Sequence, residues 1–176
     1  MIPGNLFTIP MWTLPTLNFS KKKKQLDKLV KSFPETKQEL QPFSTNRQSN
    51  RPGFAQAFSH IMEQELMMLS KKLQKDIQIE DIWSVSYKKG DYHTPHNHGA
   101  TGLTGILYLT MPKGAPVTQY LQPWNDWQTD RTIYYPLPVV EGMIVVVPKF
   151  VRHFTEPNKL TKVKRIISWD MNLINA

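Results

Sequence analysis

The chain contains no cysteine. Disulfides, zinc–thiolate sites and iron–sulfur clusters are therefore excluded, and a metal held by the protein must use histidine or carboxylate ligands. The same absence fits a reducing compartment, so a cytoplasmic protein is expected. Long apolar runs are missing too. No stretch approaches the roughly 18 apolar residues of a membrane span, and no membrane is expected as a partner. The apolar opening, MIPGNLFTIPMWTLPTLNF, is broken by prolines, lacks a basic leader and does not read as a secretory signal. Acidic residues are scarce: 14 Asp and Glu face 22 Lys and Arg, giving a net charge of +8. That excess leaves acidic partners open, nucleic acid among them, although a lysine-rich solvated surface is the better explanation of it. Lys21 to Lys24 open a helical stretch and read as such a surface.

What is present suffices for one folded domain. The chain has 176 residues, of which 40% are hydrophobic and 11% aromatic. Its patterning changes near residue 80, which divides a single domain, 1–176, into an extended and helical part, 1–78, and a β part, 79–176. Residues 5–19 read as an extended lead-in. Leu26, Leu29, Val30 and Phe33 recur at helical spacing after Ser20, a candidate cap, and Pro34 ends that helix. Residues 35–52 carry no period and read as loop. Phe54, Ala57, Phe58, Ile61, Met62, Leu66, Leu69 and Leu73 predict a helix over 53–75, with His60 in a structural place. Strands are predicted from residue 79 through Tyr87, over 102–111, 133–137, 142–147 and 163–174. The continuous run Met143 to Val147 suggests a strand buried on both faces. The fold class that follows is mainly β with α: a jelly-roll barrel with the N-terminal helices packed outside it.

The histidines carry the chemistry. His93, His96 and His98 crowd one short segment. Residues two apart on a strand point to one face, so His96 and His98 converge while Asn97 faces away. His93 has the opposite parity. His153, after an apolar strand and Pro148, is the remaining histidine of the β half. His96, His98 and His153 would make a facial set of three ligands with open positions beside it. The competing view is that HTPHNHG is a polar surface loop.

The segment Tyr87 to Tyr108, YKKGDYHTPHNHGATGLTGILY, resembles the iron-binding strand pair of 2-oxoglutarate/Fe(II) oxygenases, the prolyl-4-hydroxylase-like enzymes among them. Gly142 to Asn172 resembles the other half of that site. The likeness extends over most of the chain, from Phe7-Thr8-Ile9-Pro10 through Gly90 to His98 and on to His153 and Arg165, and is weakest over 114–138. It implies a double-stranded β-helix, Fe(II) and 2-oxoglutarate as cofactors, and hydroxylation of an organic substrate, with a prolyl peptide as the analogy. It makes His96 the first iron ligand, His153 the distal one, and puts His98 where an aspartate is usual. Arg165 would pair with the far carboxylate of 2-oxoglutarate, since a guanidinium grips a carboxylate through two parallel bonds. Lys164, of opposite parity, would face outwards. Tyr87 and Tyr108 would add hydroxyls to the same carboxylate, or else serve as barrel core. Asp91 and Asp126 are alternative carboxylate ligands, disfavoured by their placement relative to His96. Ile167 departs from the small hydroxyl residue of many relatives, with Ser168 one position late.

Two other functions stay open at this level. One is a three-histidine iron dioxygenase of cupin type that uses no 2-oxoglutarate. The other is a non-catalytic barrel binding nucleic acid or protein. Trp124, Asn125, Asp126, Trp127, Tyr134 and Tyr135 are candidates for lining the entrance. A homodimer is also left open by the sequence.

Overall fold

A computed structural model describes residues 8–37 and 42–174. Phe7, the first residue of the Phe-Thr-Ile-Pro segment, lies outside the described residues. Among the described residues eleven strands and three helices follow one another as β1 (Trp12–Pro15), α1 (Phe19–Ser32), β2 (Thr36–Lys37), β3 (Ser44–Thr45), α2 (Phe54–Ile61), α3 (Glu63–Leu73), β4 (Asp76–Tyr87), β5 (His93–His96), β6 (Leu103–Thr110), β7 (Thr118–Leu121), β8 (Tyr134–Pro136), β9 (Met143–Pro148), β10 (His153–Thr155) and β11 (Lys164–Ile174).

The strands form two antiparallel sheets. The larger runs β1-β9-β6-β11-β4-β3-β2 and the smaller β5-β10-β7-β8. Both faces of the larger sheet are apolar. On one, Leu107, Ile144, Val146, Ile167 and Trp169 join Leu26, Val30, Phe54, Phe58 and Leu69 from the helices in one core. On the other, Trp83, Val85, Ile106, Val145, Val147 and Ile166 meet Tyr120 of the smaller sheet inside the barrel. This is why Met143 to Val147 reads as unbroken apolar sequence: alternate residues serve different cores. The architecture is the double-stranded β-helix, or jelly roll.

Several local expectations change. Helix α1 begins at Phe19 behind Asn18, which adopts a left-handed conformation and makes no side-chain cap bond, so Ser20 lies within the helix. The stretch 53–75 is two helices broken at Met62, whose φ of −102° and ψ of 17° leave the helical region. The supposed loop 35–52 contributes two short strands to the sheet edge. Asn46 is fully buried there: its side-chain carbonyl accepts from Ser84 N at 2.9 Å and its amide donates to Phe33 O at 2.9 Å. That clamp holds Phe43 to Arg47 against β4, at the barrel mouth.

One close approach shapes the large sheet. A Cβ on Gly105 would lie 2.2 Å from the indole of Trp169. The ring therefore lies directly over β6, and it packs at a tilt against Phe58, 5.0 Å away between centroids.

Candidate metal centre and anchor pocket

The barrel interior holds a cavity of about 230 Å³ between the sheets, lined among others by His96, His98 and His153. Ligand-capable atoms of these three histidines all lie within 4.8 Å of one another. His153 on β10 faces His96 across the strand pair. His98 lies just past β5, where its backbone N–H donates to Lys149 O at 2.9 Å.

The imidazoles converge without strict strand parity, because β5 ends at His96. His93 also points into the cavity: its ring stacks on His96 at 3.8 Å, and its Nδ1 lies 3.3 Å from the Tyr87 hydroxyl. A register shift in the β5–β10 pairing, between His153 and Thr155, removes the parity difference expected for His93.

The outer nitrogen of each triad histidine is occupied. His96 Nδ1 bonds Thr94 O at 2.8 Å and His153 Nδ1 bonds Val151 O at 3.1 Å. His98 Nδ1 lies 2.6 Å from Asp170 Oδ1 and 3.0 Å from Thr104 Oγ1. Carbonyl and carboxylate oxygens only accept, so each Nδ1 carries the proton and each Nε2 is left as a lone-pair donor. Burial above all, with mutual repulsion among the imidazoles, lowers the pKa of His96 to about 4 and that of His153 to about 3. Three imidazoles with free Nε2 atoms suit a divalent transition metal. Asp91 and Asp126 do not join them. Asp91 accepts from Lys88 N at 2.9 Å, and Asp126 accepts from Thr129 in an exposed loop.

Deeper in the barrel the expected basic residue is replaced by its neighbour. Lys164 is fully buried. Its ammonium lies 5.0 Å from the Tyr87 ring and 5.7 Å from the Tyr108 ring, and donates to Pro116 O at 2.9 Å. Arg165 points the other way, donating from Nε to Ser86 Oγ at 2.8 Å, with Glu35 at 3.8 Å. The expected orientations of Lys164 and Arg165 are thus reversed: Lys164, Ile166, Ser168 and Asp170 share the inner face of β11. Burial lowers the Lys164 pKa to about 7. Tyr87 and Tyr108 do line this end of the interior, and burial raises both phenol pKa values.

The interior also holds a cluster of buried hydroxyls that lie beside one another without well-formed hydrogen bonds. Those of Tyr108, Tyr120 and Thr118 make no hydrogen bond of acceptable geometry. Buried polar atoms are normally satisfied, and each orphan costs about 1–3 kcal/mol. A carboxylate beside Lys164 would satisfy acceptor-seeking donors of this kind, so the residues present fit a dicarboxylate co-substrate as well as a metal.

The sequence matches a family model described as "Putative 2OG-Fe(II) oxygenase" over residues 81–170, just over half the chain. The chain belongs to this oxygenase family. It is accordingly an oxygenase that draws on Fe(II) and 2-oxoglutarate. Solved structures share the fold. A 2OG-Fe(II) oxygenase family oxidoreductase from Burkholderia pseudomallei aligns with a TM-score of 0.69 at 12% identity, covering 94% of this chain and 86% of the other. A prolyl-4-hydroxylase from Pseudomonas putida aligns with a TM-score of 0.63 at 12% identity, covering 94% of each chain. HygX from Streptomyces hygroscopicus, solved with nickel and 2-oxoglutarate bound, aligns with a TM-score of 0.69 at 8% identity, covering 94% of this chain and 83% of the other. No curated protein matches in sequence.

Two inward-facing residues of β11 are not legible in the sequence. Asp170 was unmarked because nothing in SWDMN ties it to a histidine so far away in the chain. Lys164 was misplaced because β11 is apolar on both faces, so no alternation reveals which residues point inwards. The aromatic loop residues separate from the histidines: Trp124 and Tyr135 line a second cavity of about 330 Å³ with Met11 and Leu137, and Trp127 is almost fully exposed. No helix among the described residues is long and apolar enough to cross a membrane.

Proposed function

We propose that His96, His98 and His153 hold Fe(II) through Nε2, that Lys164 anchors the far carboxylate of 2-oxoglutarate, and that the enzyme hydroxylates a C–H bond of an organic substrate. The observation that carries this is a buried lysine without a carboxylate partner, packed against Tyr87 and Thr155 in the wall of the cavity on which three histidines converge. The chemistry that iron and 2-oxoglutarate would supply together, with dioxygen as the oxidant, is decarboxylation to succinate and carbon dioxide coupled to hydroxylation, one oxygen atom entering succinate and the other the substrate. The protein's own residues do the rest. The Nδ1 bonds fix the tautomers and aim the lone pairs. Lys164 and the Tyr108 hydroxyl hold the co-substrate by charge and hydrogen bonding. Tyr87 confines it by packing, and its hydroxyl meets His93. The apolar lining of Val85, Ile106 and Ile166 keeps water away from the reacting centre.

A prolyl peptide is the substrate suggested by likeness to the prolyl-4-hydroxylase, whereas HygX has been solved with hygromycin B bound. The shared fold therefore does not choose between peptide and small molecule. The cupin-like reading, without 2-oxoglutarate, is favoured by the three-histidine set alone and leaves Lys164 without a task.

Lys164→Met tests the anchor, because it removes the charge while keeping an apolar buried chain. The expected result is a roughly 10- to 100-fold loss of 2-oxoglutarate affinity, the worth of a charge-assisted bond, with Ni(II) binding retained. Arg165→Ala should leave that affinity unchanged. Equal losses in both variants, or none in Lys164→Met, would reject the anchor assignment.

A further inference from the structure

We infer that Asp170 and His98 act as one ligand unit, in which Asp170 is a positioning residue that supplies from behind the imidazole the negative charge the metal centre otherwise lacks. This rests on the metal reading above. Three imidazole ligands bring no negative charge to a dication. An uncompensated charge in a largely buried site is costly, and a nearby carboxylate offsets that cost. Among the described residues, Asp170 is the carboxylate bonded to a triad histidine, at 2.6 Å, and both side chains are nearly buried. Charge-assisted bonds of this length are stronger than neutral ones and fix the donor ring.

The surroundings hold the unit in place. Thr104 Oγ1 donates to Trp169 O at 3.2 Å, leaving its lone pairs to face His98 Nδ1 at 3.0 Å. The Trp83 ring lies 5.3 Å from the His98 ring and has the Arg47 guanidinium 4.0 Å from its centroid. Arg47 approaches the second oxygen of Asp170 at 3.7 Å from the cavity mouth. Asp170 therefore has one oxygen on the ligand histidine and the other towards a cation at the entrance. Its partner is specified on both sides, which a merely space-filling carboxylate would not need.

The experiment compares Ni(II) affinity by calorimetry, without oxygen or substrate, in the wild-type protein, Asp170→Asn, Thr104→Val, His98→Asp and His98→Asp/Asp170→Asn. Asparagine keeps the size and a carbonyl acceptor and removes the charge. Asp170→Asn is expected to weaken Ni(II) binding roughly 10- to 100-fold, the usual effect of losing such a partner, while Thr104→Val changes it by less than about threefold. His98→Asp alone sets two carboxylates against each other, so it should bind worse than the double variant, which again holds one negative charge. A second measurement needs no variant. The nitrogen resonances of His98 in the metal-free wild-type protein should report a proton on Nδ1. Equal Ni(II) affinity in wild type and Asp170→Asn overturns this inference alone, as does an Nε2–H tautomer of His98. Absence of Ni(II) binding by the wild type overturns the metal reading and this inference with it.

Discussion

At the scale of single residues, the proposed role of Lys164 ties co-substrate binding to pH. Its pKa is lowered to about 7 by burial. The titratable groups facing it are Tyr87 and Tyr108, whose phenols burial keeps neutral. A dicarboxylate pairs with the ammonium form only, so binding above pH 7 must bring a proton with it. Affinity for 2-oxoglutarate is expected to fall about tenfold per pH unit above 7, until the bound complex itself titrates. Calorimetry in buffers of different ionisation enthalpy measures that proton uptake directly. A flat profile between pH 7 and 9 would contradict it. His96 and His153 behave differently. Their lowered pKa values mean that both enter neutral pH already deprotonated and ready to ligate.

At the scale of elements, legibility in the sequence followed the physical pattern available to be read. Helices were legible because their apolar residues recur at three and four. The break at Met62 was not, since the periodicity runs through it. Strands β6 and β9 were visible as apolar runs, but β3 and β2 were too short to leave a pattern. The histidines were legible from their spacing, although they converge through a strand end and a register shift and not through simple alternation. The inner face of β11 was illegible. Lys164 and Arg165 are adjacent cations, and Ile166 and Ile167 beside them are both buried on opposite faces, so the alternation that would have chosen between the cations is absent. Chemical preference for arginine pointed the wrong way. The packing of β6 on β11 makes a sharper claim. Because a Cβ at residue 105 would meet the Trp169 indole at 2.2 Å, Gly105→Ala must displace a ring already pinned by Phe58. Overpacking of this kind costs about 1–3 kcal/mol, and urea denaturation should show a stability loss of that size with an unchanged dependence on urea concentration.

At the scale of the whole molecule, the buried histidines link stability to acidity. His93, His96 and His153 have folded-state pKa values lowered to about 2, 4 and 3. In the unfolded chain such side chains titrate near pH 6.5. Between about pH 6.5 and 4 the unfolded state therefore takes up protons that the folded state refuses, and stability falls as the pH falls. Thermal unfolding of the metal-free protein is expected to shift to lower temperature on going from pH 7 to 4.5. Replacing His93 by a neutral aromatic such as phenylalanine should make that slope shallower, and an unchanged slope would remove His93 from the account.

The register of β11 against its neighbours then has a consequence for how this enzyme can change over time. Lys164 and Asp170 stand on one strand, and both face inwards. Moving that strand by one residue would turn Arg165 inwards in place of the lysine, but it would also bring Met171 in place of Asp170. The two ends of the site are therefore geared together. A slip of register that swaps one cation for the other at the deep end strips the carboxylate from the histidine. Substitution in place is open to this strand, whereas insertion or deletion between 164 and 170 is closed to it.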